Sequence, residues 1–400
     1  MKKTYVILIG VSLLIASCKT KEVAPTDVQI PDKFFEQTLI DKGIDKDKTI
    51  NGQMAYSDAL TVENLFLIYN EDISSLKGIE AFVNLKRFAC SSSKINTLDL
   101  QNSPKLTYVY CNHNTLLSSV NFTNNKNIDT LIVNSNYILQ KIDVGNLEKL
   151  NDFTCQTNGI TELDVSKNTL LTSLRCDINK IAKLTLGNLK NLHSLSCDSN
   201  KLTALDVSQL PNLTGFTCFN NSIKILDTKN NIKLTRLSCT VNQIEVLDIT
   251  NNKLLEYFDC IDNPIKNSVF DFTNNNKLTT INLSGNFTKI NVSTCKDLTD
   301  MLIWANNLTQ LDVSKNIVLS GLRVRETPLS SINLDNNINL KLLECTKTNL
   351  TTLDIRKQKL EGLNCTNNPS LKTICVLSPA DYINQYGYYK DPTAQFVMCP

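Results

Sequence analysis

The residues best suited to chemistry in this chain are cysteines that recur at a fixed interval. Ten of the fourteen cysteines occupy one place in a repeat of about 21 residues. In an exported protein such a stack could form disulfides or bind a metal. Other repeats carry Val133, Leu283, Ile303 and Val324 at this place, so we expect it to accept any small hydrophobic side chain and the thiols to be buried. The ten cysteines are Cys90, Cys111, Cys155, Cys176, Cys197, Cys218, Cys239, Cys260, Cys345 and Cys365.

The remaining reactive residues do not indicate an enzyme. The two histidines, His113 and His193, lie about four repeats apart and are too distant to share a metal or a catalytic triad. We find no nucleophile elbow, phosphate-binding loop or HExxH motif in the sequence. We therefore predict a protein without catalytic residues, cofactor or metal.

Carboxylates recur in the second half of the repeat. We expect this row to be solvated beside lysines or, alternatively, to hold divalent cations. It comprises Asp99, Asp143, Asp164, Asp206, Asp227, Asp248, Asp271, Asp312 and Asp354. A separate acidic segment from Asp45 to Gly52 faintly resembles a calcium loop, but it lacks the oxygen ligands, glycine and terminal glutamate at EF-hand spacing. There the sequence favours a solvated turn over a cation site.

Two cysteines near the C-terminus differ in kind from the repeated ones. Cys375 and Cys399 each lie in a short apolar stretch, with a tyrosine-rich turn region between them. We predict that they form a disulfide that closes a C-terminal cap. Cys295 has no evident partner.

The repeat itself defines the elements that position these residues. It reads LxxLxCxxNx followed by LxxLDVSxNxx, and about fourteen copies run from residue 85 to 377. Burying six apolar side chains per repeat contributes roughly 9–18 kcal/mol, whereas ordering 21 backbone residues costs about 20–40 kcal/mol. A single repeat therefore cannot fold, and stacked coils are required.

This pattern resembles the nested class of bacterial leucine-rich repeats, sometimes called the IRREKO class. The second half of the repeat alternates like a strand and lacks a run of helix formers, so the sequence predicts a mainly β leucine-rich-repeat solenoid with two short parallel strands per coil rather than a helix-backed horseshoe. We expect a short N-terminal helical cap with an irregular first coil over residues 31–84 and a C-terminal cap over 378–400. The resemblance to bacterial surface proteins with such repeats implies a role in adhesion, host contact or envelope assembly.

The N-terminus has the features of an export signal. Two lysines, an apolar run and small residues fill residues 1–17, which we interpret as a signal peptide. Leu14 to Cys18 resembles the bacterial lipobox, which implies lipid attachment at Cys18 and a flexible tether over residues 18–30. We predict anchoring to the outer membrane, on either its periplasmic or its exterior side. Without the signal, 39 basic residues balance 39 acidic ones, which argues against a nucleic-acid partner.

A binding face is the function that this sequence favours. In the first strand of each coil, alternate residues point away from the core, and the larger ones are the usual anchors of a protein or polysaccharide contact. Trp304, Arg323 and Arg325 lie in adjacent coils and form the best candidate patch. The alternatives are a structural spacer without a specific ligand and an accessory protein that captures glycans. The candidate residues are Tyr108, Tyr110, Arg175, His193, Phe219, Arg236, Tyr257, Trp304, Arg323 and Arg325.

Overall fold

The chain forms an uninterrupted stack of coils around one continuous core. A computed structural model describes residues 26–304, 307–382 and 387–400. Its main element is a sheet of sixteen strands, which we call the front sheet, in which each strand pairs in parallel with that of the next coil. The mainly β solenoid predicted from the repeat is confirmed.

The front sheet contains two more strands than the fourteen regular repeats. The first strand comes from the irregular coil and the last from the C-terminal cap, so both cap regions extend the sheet. In chain order the strands are Asn64–Leu67, Arg87–Ser91, Tyr108–Asn112, Thr130–Ile132, Asp152–Thr154, Ser173–Arg175, Ser194–Ser196, Gly215–Thr217, Arg236–Ser238, Tyr257–Asp259, Thr280–Ser284, Asp300–Trp304, Gly321–Arg325, Leu342–Thr346, Gly362–Cys365 and Tyr388–Lys390.

The opposite side of the coils, the back face, has strands in only some coils. They form four small parallel sheets rather than one. Three consecutive coils between Lys183–Thr185 and Val269–Asp271 have no back strand in the described structure. The pairs are Thr97–Asp99 with Ser119–Asn121, Glu162–Asp164 with Lys183–Thr185, and Val269–Asp271 with Lys289–Asn291; the fourth sheet joins Thr352–Asp354, Thr373–Val376 and Gln395–Met398.

The repeated cysteines are buried thiols in the core. Cys197, for example, has no exposed surface and packs in the same cluster as Leu192 and Leu195. All eleven free cysteines within the described ranges are buried. Burial raises the pKa of Cys90 and of Cys295 to about 11, so these thiols stay protonated and unreactive at neutral pH.

Asparagines bind the coils together at two corners. At the first corner, Asn200 donates to the carbonyls of Cys197 and Cys176 at 3.1 and 3.0 Å and accepts from the Ile181 amide at 3.0 Å. The repeated Asn was expected to satisfy backbone groups at the bend, as it does here, and also to pair with the Asn of the next coil; these contacts of Asn200 are all with backbone groups. One asparagine side chain therefore forms hydrogen bonds with backbone groups of two successive coils.

The second corner has its own row of buried asparagines, at the N of the second half-repeat LxxLDVSxNxx. Asn231 has no exposed surface and donates to the carbonyls of Val207 and Leu210 at 2.9 Å each. Cys295 occupies the same place, and its Sγ lies 3.6 Å from the Asn275 carbonyl. Its lack of a disulfide partner therefore has a structural explanation. The other asparagines of this row are Asn125, Asn168, Asn252, Asn275, Asn316 and Asn337.

The N-terminal cap covers the first coil. Its helix, Lys33–Asp41, begins at Asp32, whose Oδ1 accepts from the Phe34 and Phe35 amides at 3.0 and 3.1 Å. Strands Asp27–Gln29 and Gln53–Ala55 pair antiparallel. A short helix, Tyr56–Ala59, and a 3₁₀ turn, Ile79–Ala81, complete the cap.

The predicted tether ends earlier than residue 30. Asp27–Gln29 form a strand, and Val28 and Ile30 are buried in the core. Their burial gives this segment enough apolar contact to be ordered. The predicted signal peptide and Cys18 lie outside the described residues. No helix in the described part of the chain is both long and apolar enough to cross a bilayer.

The C-terminal cap is one further coil. A disulfide joins Cys375 to Cys399, the pair proposed from the sequence. The rings of Tyr388 and Phe396 each lie 5.2 Å from that of Tyr382, centroid to centroid, and cover the end of the core. A 3₁₀ turn, Pro379–Asp381, leads into this cap.

Candidate binding face

The exposed side of the front sheet carries most of the residues chosen from the sequence. Alternation along each strand directs Tyr108 and Tyr110 outward, while Val109 between them is buried. The same alternation exposes Arg175 on its own strand. His193 and Phe219 are also exposed and lie in adjacent coils, but several coils separate them from the tyrosines. The ten candidates are thus spread over the sheet rather than gathered in one site.

The structure adds an aromatic patch at the N-terminal end of the front sheet. Phe66 and Tyr69 are 40% and 80% exposed, and Ile68 beside them is exposed as well. Phe66 pairs with Ala89 and Ala89 with Tyr110, so their side chains form one row across three strands. We use the name aromatic patch for the following residues: Phe66, Ile68, Tyr69, Tyr108 and Tyr110.

Two contacts hold the aromatic patch in place. Ala89 points outward between Phe66 and Tyr110, yet it is only 5% exposed, because the large side chains on both sides cover it. The guanidinium of Arg87 lies 4.7 Å from the ring centroid of Tyr108, within the range of a cation–π contact. Arg87 therefore orients the Tyr108 ring on the sheet before any ligand arrives.

The sequence contained a signal for this patch. Phe66 lies between the buried Leu65 and Leu67, which is the same alternation as in the regular coils. We treated residues 64–84 as an irregular coil and did not assign outward positions there. The structure shows that only the later part of that coil is irregular.

The predicted patch of Trp304, Arg323 and Arg325 is assembled but engaged in ion pairs. Trp304 and Arg325 are register partners on adjacent strands. Arg325 binds Glu344 through two hydrogen bonds of 2.8 and 2.7 Å, and Arg323 binds Asp300 at 2.8 Å.

The carboxylate of Glu326 lies at the edge of the same patch. Hydrogen bonds from Lys347 and then from Trp304 lower the pKa of Glu326. The two arginines and the tryptophan are therefore tied to carboxylates across neighbouring coils. A ligand that approached them would have to replace those contacts.

Arg236 and Tyr257 likewise bind each other. The Arg236 guanidinium lies 3.8 Å from the Tyr257 ring centroid, and the Tyr257 hydroxyl donates to Asp259 at 3.0 Å. Asn282 donates to the same carboxylate oxygen at 3.2 Å. These lateral contacts stabilise the middle of the face and leave fewer free groups there than the sequence suggested.

A pair of carboxylates lies between the two ends of the face. Asp177 and Asp198 occupy the same place in adjacent coils, and both are buried. Asp198 accepts hydrogen bonds from Thr217 Oγ1 at 2.9 Å and from the Phe219 amide at 2.8 Å. Burial, with the negative charge of Asp177 as a further cause, raises the pKa of Asp198 to about 6.

The aspartate row in the second half of the repeat shapes turns. Asp206 accepts from the Ser208 amide at 2.9 Å, and Asp312 accepts from the Ser314 amide at 2.9 Å. Hydrogen bonds from the side chain and then from the backbone of Ser208 and Ser314 lower the pKa of Asp206 and Asp312 respectively. In the portion of the chain that is described, no three His, Cys, Asp or Glu side chains are arranged to hold a metal ion.

A concavity of about 880 Å³ lies on the back face in the coils that lack back strands. Ile225 and Val246 line it and are 77% and 65% exposed. Asp227, Glu245 and lysines surround them. It is a second surface where an apolar ligand could bind, on the side of the coils opposite the binding-face candidates, and Asp227 and Asp248 of the aspartate row lie at its edge.

Comparison with solved structures places this architecture among known folds. The functional domain of InlJ from Listeria monocytogenes, described as including a cysteine ladder, matches with a TM-score of 0.70 and 27% identity, over 89% of this chain and 78% of that one. The chain folds as a leucine-rich-repeat solenoid. The cysteine row of this chain is thus similar to a feature described for that bacterial protein.

Two further bacterial structures have the same fold. The leucine-rich-repeat protein LIC12759 of Leptospira interrogans matches with a TM-score of 0.57 and 16% identity, over 86% of this chain and 97% of that one. A leucine-rich-repeat protein of Bacteroides thetaiotaomicron matches with a TM-score of 0.55 and 15% identity, over 82% and 52%. No protein-family model and no curated protein sequence matches the chain.

Proposed function

We propose that this solenoid is a non-catalytic module that binds another protein through the front sheet. The observation that carries the proposal is the aromatic patch, in which the exposed Phe66 and the half-buried Tyr110 lie in one row across three strands with Ala89 between them. Aromatic side chains that are fixed before binding lose little conformational entropy on association and often dominate interface energetics. The bacterial leucine-rich-repeat neighbours support a binding role.

The patch is better suited to a protein than the ion-paired region around Trp304. Binding at the aromatic patch removes apolar surface from water, which is favourable. Binding at Arg323 or Arg325 requires the partner to compensate for the loss of existing ion pairs to Asp300 and Glu344. The Trp304 patch stays a prediction, as a secondary contact.

Photo-crosslinking from intact cells tests this proposal. A photoreactive phenylalanine analogue in place of Phe66 should capture one discrete protein. The matched control places the same analogue at Ile225, which is exposed on the back face. Capture only from position 225, or capture of glycan without protein from position 66, would contradict a protein ligand on the front sheet.

We further propose that the module is lipid-anchored at Cys18 in the outer membrane. The lipobox-like sequence supports this anchor. The anchor would lead to the N-terminal cap, and the aromatic patch lies in the coils next to that cap. Cys18→Ala should move the protein from the membrane fraction to the soluble exported fraction. If the variant stays in the membrane fraction, lipid is not its anchor. Protease treatment of whole cells then determines which side of the membrane it faces.

A further inference from the structure

A buried carboxylate in the N-terminal cap has no adequate partner. Asp45 is 1% exposed, and its Oδ2 atom accepts no hydrogen bond within the described structure. Its Oδ1 atom has one long contact, 3.4 Å from the Asp47 amide. The solvated turn expected from the sequence is wrong for this residue. A carboxylate so deeply buried requires either a proton or a cation beside it.

Three more carboxylates surround Asp45. Glu36 and Asp58 are buried, and Glu36 Oε1 is held by backbone amides of the loop, the nearest at 2.8 Å from Gly52. Burial, and next the negative charge of Asp47, raises the pKa of Asp45; Glu36 and Asp58 contribute in the same direction. The neighbouring cation is Lys46, 2.6 Å from Asp58, and its side chain is 63% exposed. Of these four carboxylates, only Asp58 forms a salt bridge within the described residues.

The local fold frames this cluster as a cation-binding loop. The cap helix precedes it, and a short strand and a second helix follow. If two residues of the loop, Thr49 and Ile50, are treated as an insertion, its oxygen-bearing residues and one glycine fall at places 1, 3, 5, 6 and 12 of an EF-hand. Gly52 has φ 81°, as the sharp turn at the sixth place requires. The residues at these places are Asp45, Asp47, Asn51, Gly52 and Asp58.

We propose that this cap loop binds Ca²⁺, a divalent cation that prefers oxygen ligands, through Asp45, Asp47 and Asp58. In the present arrangement these side chains do not converge on one point. Asp47 is exposed and holds only the Thr49 amide and the Asn51 side chain, so it can turn inward. Binding also requires the Lys46 ammonium to leave Asp58. Because the Lys46 side chain is exposed, it can turn into solvent. The cation then neutralises Asp45 and joins the cap helix to the second helix.

Calorimetric titration of the chelator-treated protein with CaCl₂ tests the site. We expect saturable binding with a dissociation constant of about 10⁻⁴–10⁻³ M, as in extracellular calcium modules. The melting temperature should rise over the same concentration range. Asp45→Asn and Asp58→Asn should each abolish both effects. Because Asp45→Asn removes a buried charge without changing the shape of the side chain, it should fold, which far-UV circular dichroism checks.

The matched control is Asp99→Asn, which alters an exposed aspartate that accepts a backbone amide at 3.0 Å in a turn of the solenoid. It should bind Ca²⁺ like the wild type. No heat and no change in melting temperature with wild-type protein would overturn the proposal and leave Asp45 protonated. Unchanged binding by Asp45→Asn would also overturn it, since the cation would then lie elsewhere. Neither result bears on the aromatic patch.

Discussion

The buried asparagines of the second corner should each contribute to the stability of the stacked coils. Asn231 is buried and donates to two carbonyls of the preceding coil at 2.9 Å each. A hydrogen bond of this kind contributes about 0.5–1.5 kcal/mol net, so Asn231→Ala should lower the free energy of unfolding by about 1–3 kcal/mol. Asn231→Asp should cost more, about 3–5 kcal/mol, because it buries an unpaired charge facing carbonyl oxygens.

Urea unfolding followed by circular dichroism measures both variants, and amide exchange at Leu210 and Leu234 locates the loss in the array. The control is Asn230→Ala, because Asn230 also donates to a carbonyl of the previous coil, at 3.2 Å, but is exposed. If Asn231→Ala is no more destabilising than Asn230→Ala, the buried amide row does not hold the coils together. Asn231 Oδ1 accepts no hydrogen bond within the described residues, so an Asn231→Asp variant as stable as the wild type at neutral pH would contradict the expected cost of a buried, unpaired charge.

Two other predictions concern titratable groups. Burial keeps the free thiols protonated. Iodoacetamide should therefore leave the repeated cysteines unmodified in the folded protein and modify them in urea. Rapid modification of most of these cysteines without denaturant would contradict a core of buried thiols. Asp198 holds its proton up to pH about 6 in the folded protein, whereas its ordinary pKa is 3.8. The folded state thus binds more protons in that window, and wild-type stability should fall as pH rises through it. Asp198→Asn lacks this loss, so its melting temperature relative to wild type should increase from about pH 4 to about pH 7; a constant difference would contradict the raised pKa.

Periodicity in the sequence was sufficient to predict the coil, its core and the burial of the cysteines. Each coil contacts only its neighbours, so the residue types at one place in the repeat report directly on one environment in the stack. The substitution of Cys by Val133 or Ile303 was therefore enough to predict an apolar site, which the burial of all of them confirms.

The irregular ends were less predictable, because no second copy of their pattern exists to compare. Phe66 and Tyr69 form part of the aromatic patch only because the first coil joins the front sheet in register with Ala89 and Tyr110. Asp45 was expected in water, and only the packing of the cap helix against the loop buries it.

Pairing between side chains was likewise decided by the tertiary structure. Sequence alternation predicts which side chains point outward, and it correctly placed Arg323, Arg325 and Trp304 in adjacent coils. It does not predict that Asp300 and Glu344 lie within hydrogen-bond distance of the two arginines. Outward direction depends on the local period of the strand, whereas a salt bridge depends on the register between coils of slightly different length. The repeat thus determined the scaffold, and the register between coils determined which of its exposed residues are free to bind.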